Sequence, residues 1–248
     1  MNAPLTLERL GRVAHLRLER PQVLNAIDAA MCAALTQAMA SLEADPEVGA
    51  VVVSGAGEKA FSAGADLTHM RTLEGAGLRR FIEQTWFAFE RIASSPLPSV
   101  AALHGHVLGG GLELALACDL RIADETVKIG LPEMGLGSVP GSGALQRLPA
   151  LIGPARTTEL MLLGRRIEAA EAAAIGLVNR AVARGEALSA AMAWAQTISK
   201  LPPEAARYAK LALRVGRVPE IAASLHGLIS DACHADKRYQ NNTDQFKR

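Results

Sequence analysis

The chain has 248 residues, 50% of them hydrophobic and 21% charged, with a net charge of +1. A globular chain of this size buries roughly three-quarters of its unfolded surface and needs no disulfides to build a core. Its charge balance argues against nucleic acid or an anionic membrane as the main partner, and no apolar run reaches the ~18 residues that span a bilayer. With aromatics at only 4%, the core must come from Ala, Val, Leu and Ile. Cys32, Cys118 and Cys233 show neither a CxxC nor a zinc spacing and read as reduced cytosolic thiols. The opening residues carry Glu8 and Arg9 and no apolar stretch, so no signal peptide is expected. A cytoplasmic enzyme or binding domain remains.

In chain order, residues 6–10 and 13–18 alternate around Gly11-Arg12 like a β-hairpin, which Arg20-Pro21 ends. Asp28 caps a helix predicted over 29–44, stopped by Asp45-Pro46. Residues 48–53 form a continuous apolar run, the pattern of a strand covered on both faces. Residues 60–65 read as a small-residue loop, followed by a short helix over 67–73 capped by Asp66. A longer helix is predicted over 78–93, a strand over 99–103, a Gly-rich stretch over 104–111 and a helix over 112–118. Strands follow at 120–123 and 127–130. Beyond Gly141 the pattern is helical: 144–152, 154–162, 169–174, 187–200, 204–215 and 221–235. Strands alternating with helices predict an α/β fold with a parallel sheet and right-handed crossovers.

In such sheets ligands bind at the carboxyl ends of the strands. The loop after 48–53 contains Ala63-Gly64-Ala65-Asp66, small enough for close backbone approach to a ligand. The loop after 99–103 runs Gly109-Gly110-Gly111 into a helix, which exposes N–H groups at the positive end of a helix dipole. Side by side, the two loops could offer two main-chain donors to one oxygen. Either loop alone serves equally well to let helix and sheet pack tightly. Two carboxylates lie nearby in sequence. Glu113 sits among leucines in the first turn of a helix, and Glu133 follows Pro132 in a loop. Taken singly, Glu113 reads as a dipole-complementing residue on an exposed helix face and Glu133 as a solvated loop residue. Beside a cluster of N–H donors they become candidate acid–base groups.

Other chemistries fare worse. There is no G-x-S-x-G, no phosphate-binding G-x-x-x-x-G-K-[ST] and no complete G-x-G-x-x-G. His104 and His106 lack further ligands for a metal and read as turn or packing residues. Ser142 reads as a helix-start residue, Arg165-Arg166 as a solvated or interface pair and Lys59 as a solvated lysine.

Together these residues resemble the crotonase (enoyl-CoA hydratase/isomerase) superfamily. The resemblance runs from Glu19-Arg20-Pro21 and Asn25-Ala26 to about Val182. Its most specific parts are Ala60-Phe61-Ser62-Ala63-Gly64-Ala65-Asp66-Leu67, Gly109-Gly110-Gly111-Leu112-Glu113 with Cys118-Asp119 behind it, and Leu131-Pro132-Glu133. It implies a ββα spiral core, placed here at 1–190, and a C-terminal helical region at 191–248 that builds a homotrimer or a dimer of trimers. It implies an acyl-CoA thioester as substrate and no metal or redox cofactor. By matching motifs, the oxyanion hole falls on the N–H groups of Ala65 and Gly110, and the catalytic carboxylates on Glu113 and Glu133. Val23, Leu24, Ala63, Gly64, Asp66, Leu67 and Pro132 fall along the substrate, with Asp66 as a helix cap rather than an acid. Both glutamates together favour a hydratase, a lyase, over a Δ3-Δ2 enoyl-CoA isomerase, another acyl-CoA enzyme of this type, or a non-catalytic acyl-CoA binder. There are two departures: Gly143-Ala144 stands where two glycines are common, and the tail from Asp236 to Phe246 diverges, which bears on acyl preference. Phe246 and Lys247 are then the residues a neighbouring subunit would contribute there.

Overall fold

The computed structural model describes residues 3–215. The helix expected at 221–235, Cys233 and the tail from Asp236 lie outside the described residues.

The hairpin forms as β1 (Leu5–Leu10) and β2 (Val13–Leu18), paired antiparallel. From β2 onward every pairing is parallel, through β3 (Ala50–Gly55), β5 (Ser99–Leu103), β7 (Leu120–Asp124) and β9 (Arg180–Val182). The order β1-β2-β3-β5-β7-β9 advances in one direction only, so the chain spirals rather than doubling back. A second sheet of three short strands, β4 (Ala60–Ser62), β6 (His106–Leu108) and β8 (Lys128–Gly130), advances alongside it. Each turn of the spiral is a long strand, a short strand and helix: the ββα core. β4 and β6 occupy stretches that the sequence predicts as loops, and β9 falls where no strand is predicted. All three are three-residue strands, too short for a period-2 pattern to register.

The strand interiors explain the apolar runs. Val51 and Val53 of β3, with Ala101 and Leu103 of β5, join the main core beneath α1 (Ala29–Glu43) and α3 (Ala76–Ser94). Ala50, Val52, Val100 and Ala102 point the other way, onto α7 (Ala187–Ile198). There Ala187, Ala191 and Ala195, one helical turn apart, let the helix lie close on the sheet. Each fully buried Val or Leu contributes about 1.5–3 kcal/mol. α7 continues across position 190, and α8 (Pro203–Val215) is tied to the core by Lys210 Nζ, which donates to Asp119 Oδ2 at 2.8 Å and Leu97 O at 3.0 Å. The helices predicted at 144–152 and 154–162 are the two halves of α5 (Ala144–Leu163), broken where Gly153 takes φ 79°. Among the described residues no helix is long and apolar enough to cross a membrane, and no group of three or more His, Cys, Asp or Glu could hold a metal ion.

Candidate active site

The loop leaving β4 is pinned to the segment before α1. Ile27 N–H donates to Gly64 O and Asp66 N–H to Ile27 O, both at 2.8 Å, and Ala63 N–H donates to Leu24 O at 2.9 Å. Ile27 thus bridges to Ala65 in the parallel sense. In such a bridge the groups on either side of Ala65 are consumed, and the N–H of Ala65 itself faces away from Ile27. Gly64 takes φ +97°, and a Cβ there would lie 2.8 Å from Leu108 O and 3.2 Å from Gly110 N. The two loops therefore touch, and only glycine fits between them.

The partner loop leaves β6 through Gly109, in the equally glycine-dependent φ +51°, and enters α4 (Gly110–Ala117). Gly110 stands at the first helical position, where an N–H has no intrahelical acceptor. Among the described residues, neither Ala65 N–H nor Gly110 N–H donates to any group. Two such amides on touching loops, one of them at a helix start, can serve together as donors to an oxyanion.

Glu113 projects from the first turn of α4 and is only 3% exposed. This overturns the exposed-face reading: all eight residues of α4 are buried, so the helix has no solvent face. Its Oε1 accepts from Ser142 N–H at 2.6 Å and Ala144 N–H at 3.1 Å. Burial pushes the carboxyl above its usual range, while these two N–H groups and the Arg147 guanidinium pull it back. Glu133 opens a 3-10 turn, Glu133–Leu136, after Pro132. It is not a solvated loop residue either, because its Oε2 is buried with no hydrogen-bond partner among the described residues. Burial, with the charge of Glu113 adding to it, pushes the Glu133 carboxyl up to about 7. The two acids are thus set apart by their surroundings. Glu113 has donors that favour its anion, whereas Glu133 has an orphaned oxygen that favours its protonated form.

Ala65, Gly110, Glu113 and Glu133 all line one cavity of about 500 Å³. Of the residues predicted along a substrate, Val23, Ala63, Gly64, Asp66, Leu67 and Pro132 line it too. Leu24 does not. It sits in the left-handed region at φ 56° and serves the site through its carbonyl, which holds Ala63. Asp66 caps α2 (Leu67–Met70) through His69 N–H. Burial raises its carboxyl, but His69 N–H and Arg20 outweigh this and hold it below its usual value. The far wall is Met70, Phe81, Ile82 and Thr85, from α2 and α3. Sequence reasoning missed the role of Ser142 and Ala144, whose amides hold Glu113; the signal available was the Gly-Ser-Gly turn before a helix. Ser142 does stand at a helix start, and Arg165 pairs with Glu159 and Glu171. A second cavity, about 580 Å³, lies at the carboxyl ends of β2, β3, β5 and β7 on the α7 side, by Arg17, His104 and Asp124. Neither Glu113 nor Glu133 reaches it, and Asp124 is occupied by Thr126 and Gly185.

Known proteins share this sequence and fold. The enoyl-CoA hydratase/isomerase family model matches residues 8–228. A probable enoyl-CoA hydratase of Mycobacterium tuberculosis (strain CDC 1551 / Oshkosh) is 42% identical over 209 residues, 84% of this chain and 80% of that protein. A short-chain-enoyl-CoA hydratase of Clostridium acetobutylicum is 37% identical over 219 residues, 88% of this chain and 84% of that protein. The crystal structure of an enoyl-CoA hydratase from Bacillus anthracis superposes with a TM-score of 0.95 at 33% identity, covering 98% of this chain and 96% of that one. A spiral ββα core, two converging glycine-rich loops and a match over nearly the whole length place this chain in the enoyl-CoA hydratase/isomerase family, with the crotonase fold.

Proposed function

We propose that this protein is an enoyl-CoA hydratase, a lyase that adds water syn across the double bond of a trans-2-enoyl-CoA to give a 3-hydroxyacyl-CoA. The observation that carries this is the pair of inequivalent carboxylates in the cavity of the two free amides. The thioester carbonyl accepts from Ala65 N–H and Gly110 N–H, which draws electron density from C2=C3. Water attacks C3 as Glu113 takes its proton. The π electrons move onto the thioester oxygen, and the enolate collapses as Glu133 delivers a proton to C2. Each oxyanion donor is worth about 3 kcal/mol in such a transition state, and each positioned proton transfer about 10²- to 10⁴-fold. The addition is redox-neutral, and the two amides do the polarising, so the reaction as written uses no metal or redox cofactor. Glu113 lies close enough for its charge to raise the Glu133 carboxyl, so the two titrations are linked.

Val23 and Leu67, 40% and 48% exposed at the rim, suit the coenzyme A end of the ligand, and the Met70–Thr85 wall suits its acyl end. Trimers, or pairs of trimers, belong to the same reading; Leu162 and Leu163 at the end of α5 are exposed apolar surface that such contacts would cover. The free buried thiols of Cys32 and Cys118 suit a reducing, cytoplasmic setting.

The test is product identification with a panel of trans-2- and trans-3-enoyl-CoAs. Gain of one water from the 2-enoyl substrates is the expected result. Conversion of 3-enoyl to 2-enoyl thioester without hydration would make the protein an isomerase, and tight binding with no turnover would make it an acyl-CoA binder.

A further inference from the structure

Arg20 enters the site description only as the guanidinium beside Asp66, yet its contacts converge on the element that aims the Ala65 amide. The Ile27–Ala65 bridge is isolated: it rests on two hydrogen bonds and belongs to neither sheet. Arg20 clamps it across both of its strands. Its Nη1 donates to Ala26 O at 2.6 Å, the residue before Ile27, and its Nη2 donates to Asp66 Oδ2 at 2.9 Å, the residue after Ala65. Nη1 also lies 3.0 Å from Asp28 Oδ2. Each aspartate gives its other oxygen to a helix N-terminus, Asp28 to Met31 N–H and Asp66 to His69 N–H. One guanidinium therefore ties together two helix caps and a backbone carbonyl from both sides of the bridge.

A lone surface ion pair would contribute little. Here the Arg20 side chain is 19% exposed and Asp66 13%, and the donors are two separate nitrogens of one planar group, which an ammonium cannot reproduce. The backbone of Arg20 is itself fixed, its N–H donating to the buried Asn25 side chain and its carbonyl accepting from Val23 and Asn25 N–H. We infer that Arg20 is a positioning residue for oxyanion stabilisation, holding the Ala65 amide on the thioester oxygen through Asp66 and Ala26 without touching substrate. This rests on the hydratase reading for the identity of that oxygen.

The experiment compares wild type with Arg20→Lys and Arg20→Met. It measures kcat and KM for a trans-2-enoyl-CoA, and the absorbance red shift of a bound 2,4-dienoyl-CoA, which reports carbonyl polarisation independently of turnover. Expected are a kcat at least about 10-fold lower with KM changed by less than about threefold, and a reduced red shift, with Arg20→Lys failing to restore it. Should Arg20→Met not fold, Asp66→Asn, which keeps an oxygen to cap α2 and gives up the charge Arg20 grips, is expected to move both readouts the same way. Folded variants with wild-type kcat and an undiminished red shift would overturn the inference. A wild type that polarises the dienoyl-CoA but hydrates nothing would defeat the hydratase reading and leave the role of Arg20 to be decided by the red shift. A wild type that binds the probe with no red shift would overturn both.

Discussion

Replacing Gly111 by alanine probes the spacing between the two loops. Gly111 lies in the first turn of α4 with an ordinary helical φ, so alanine suits its backbone. The obstacle is contact: a Cβ there would sit 2.3 Å from Ser62 O and 2.9 Å from Ser62 Cβ. Opening 2.3 Å to the ordinary 3.4 Å requires a retreat of about 1 Å. Ser62 cannot supply it, since its Oγ is bonded to Asn25 O at 2.8 Å and to Gly64 N–H at 3.2 Å. The helix must move, and Gly110 moves with it, away from Ala65. Misplacement by about 1 Å in a constellation of this kind costs on the order of 10²-fold, and overpacking about 1–3 kcal/mol of stability. The assay is the initial rate of loss of the conjugated enoyl thioester absorbance, read as kcat/KM, with thermal unfolding alongside. Gly77→Ala, where the added methyl meets only Leu73 Cδ2 at 3.9 Å, is the control and is expected to be neutral or slightly stabilising. A folded Gly111→Ala enzyme with wild-type kcat/KM would refute the claim that this close approach sets the amide pair.

The pH dependence follows from the two acids. In the proposed reaction Glu133 acts protonated, and its carboxyl is raised to about 7, so kcat/KM is expected to fall as pH rises through about 7. Glu113 acts ionised and is raised above its usual 4.5, so the acid limb should set in above that value; a profile flat across both limbs would contradict the assignment. The same raised Glu133 carboxyl is a stability statement: its contribution is complete below 4.5 and lost as pH rises through about 7, which urea unfolding at several pH values would read and Glu133→Gln should flatten. Asn25→Ala should cost about 3 kcal/mol or more in chemical unfolding, because the fully buried Asn25 Nδ2 donates to both Ala56 O and Ala60 O and its backbone holds φ 54°. A loss below about 0.5 kcal/mol would show that those carbonyls find other partners.

How much was legible in the sequence differs by element. The run at 48–53 told its environment because Ala50 and Val52 face one core and Val51 and Val53 the other, so no polar residue interrupts it. The Asp28 and Asp66 caps were legible because a carboxylate before a helical pattern has one common use, and each does bond the N–H three residues on. The burial of Glu113 was not, since on a helix buried all round the pattern 112–116 has no polar face against which to judge one acid. Nor was the work of Ser142 and Ala144, which is done by backbone N–H groups that carry no residue-type signature. The charge at Arg20 reads in the sequence only as the neighbour of a strand-ending proline; its carboxylate partners are 46 and 8 residues away and only the fold assembles them.

Turnover by the Glu113→Gln/Glu133→Gln double variant tests the central claim most directly. Each substitution keeps shape and removes proton transfer, so hydration of a trans-2-enoyl-CoA should fall by at least about 10⁴-fold while the thioester still binds between the Ala65 and Gly110 amides. A folded double variant that still hydrates within about 10-fold of wild type would contradict a mechanism built on these two carboxylates.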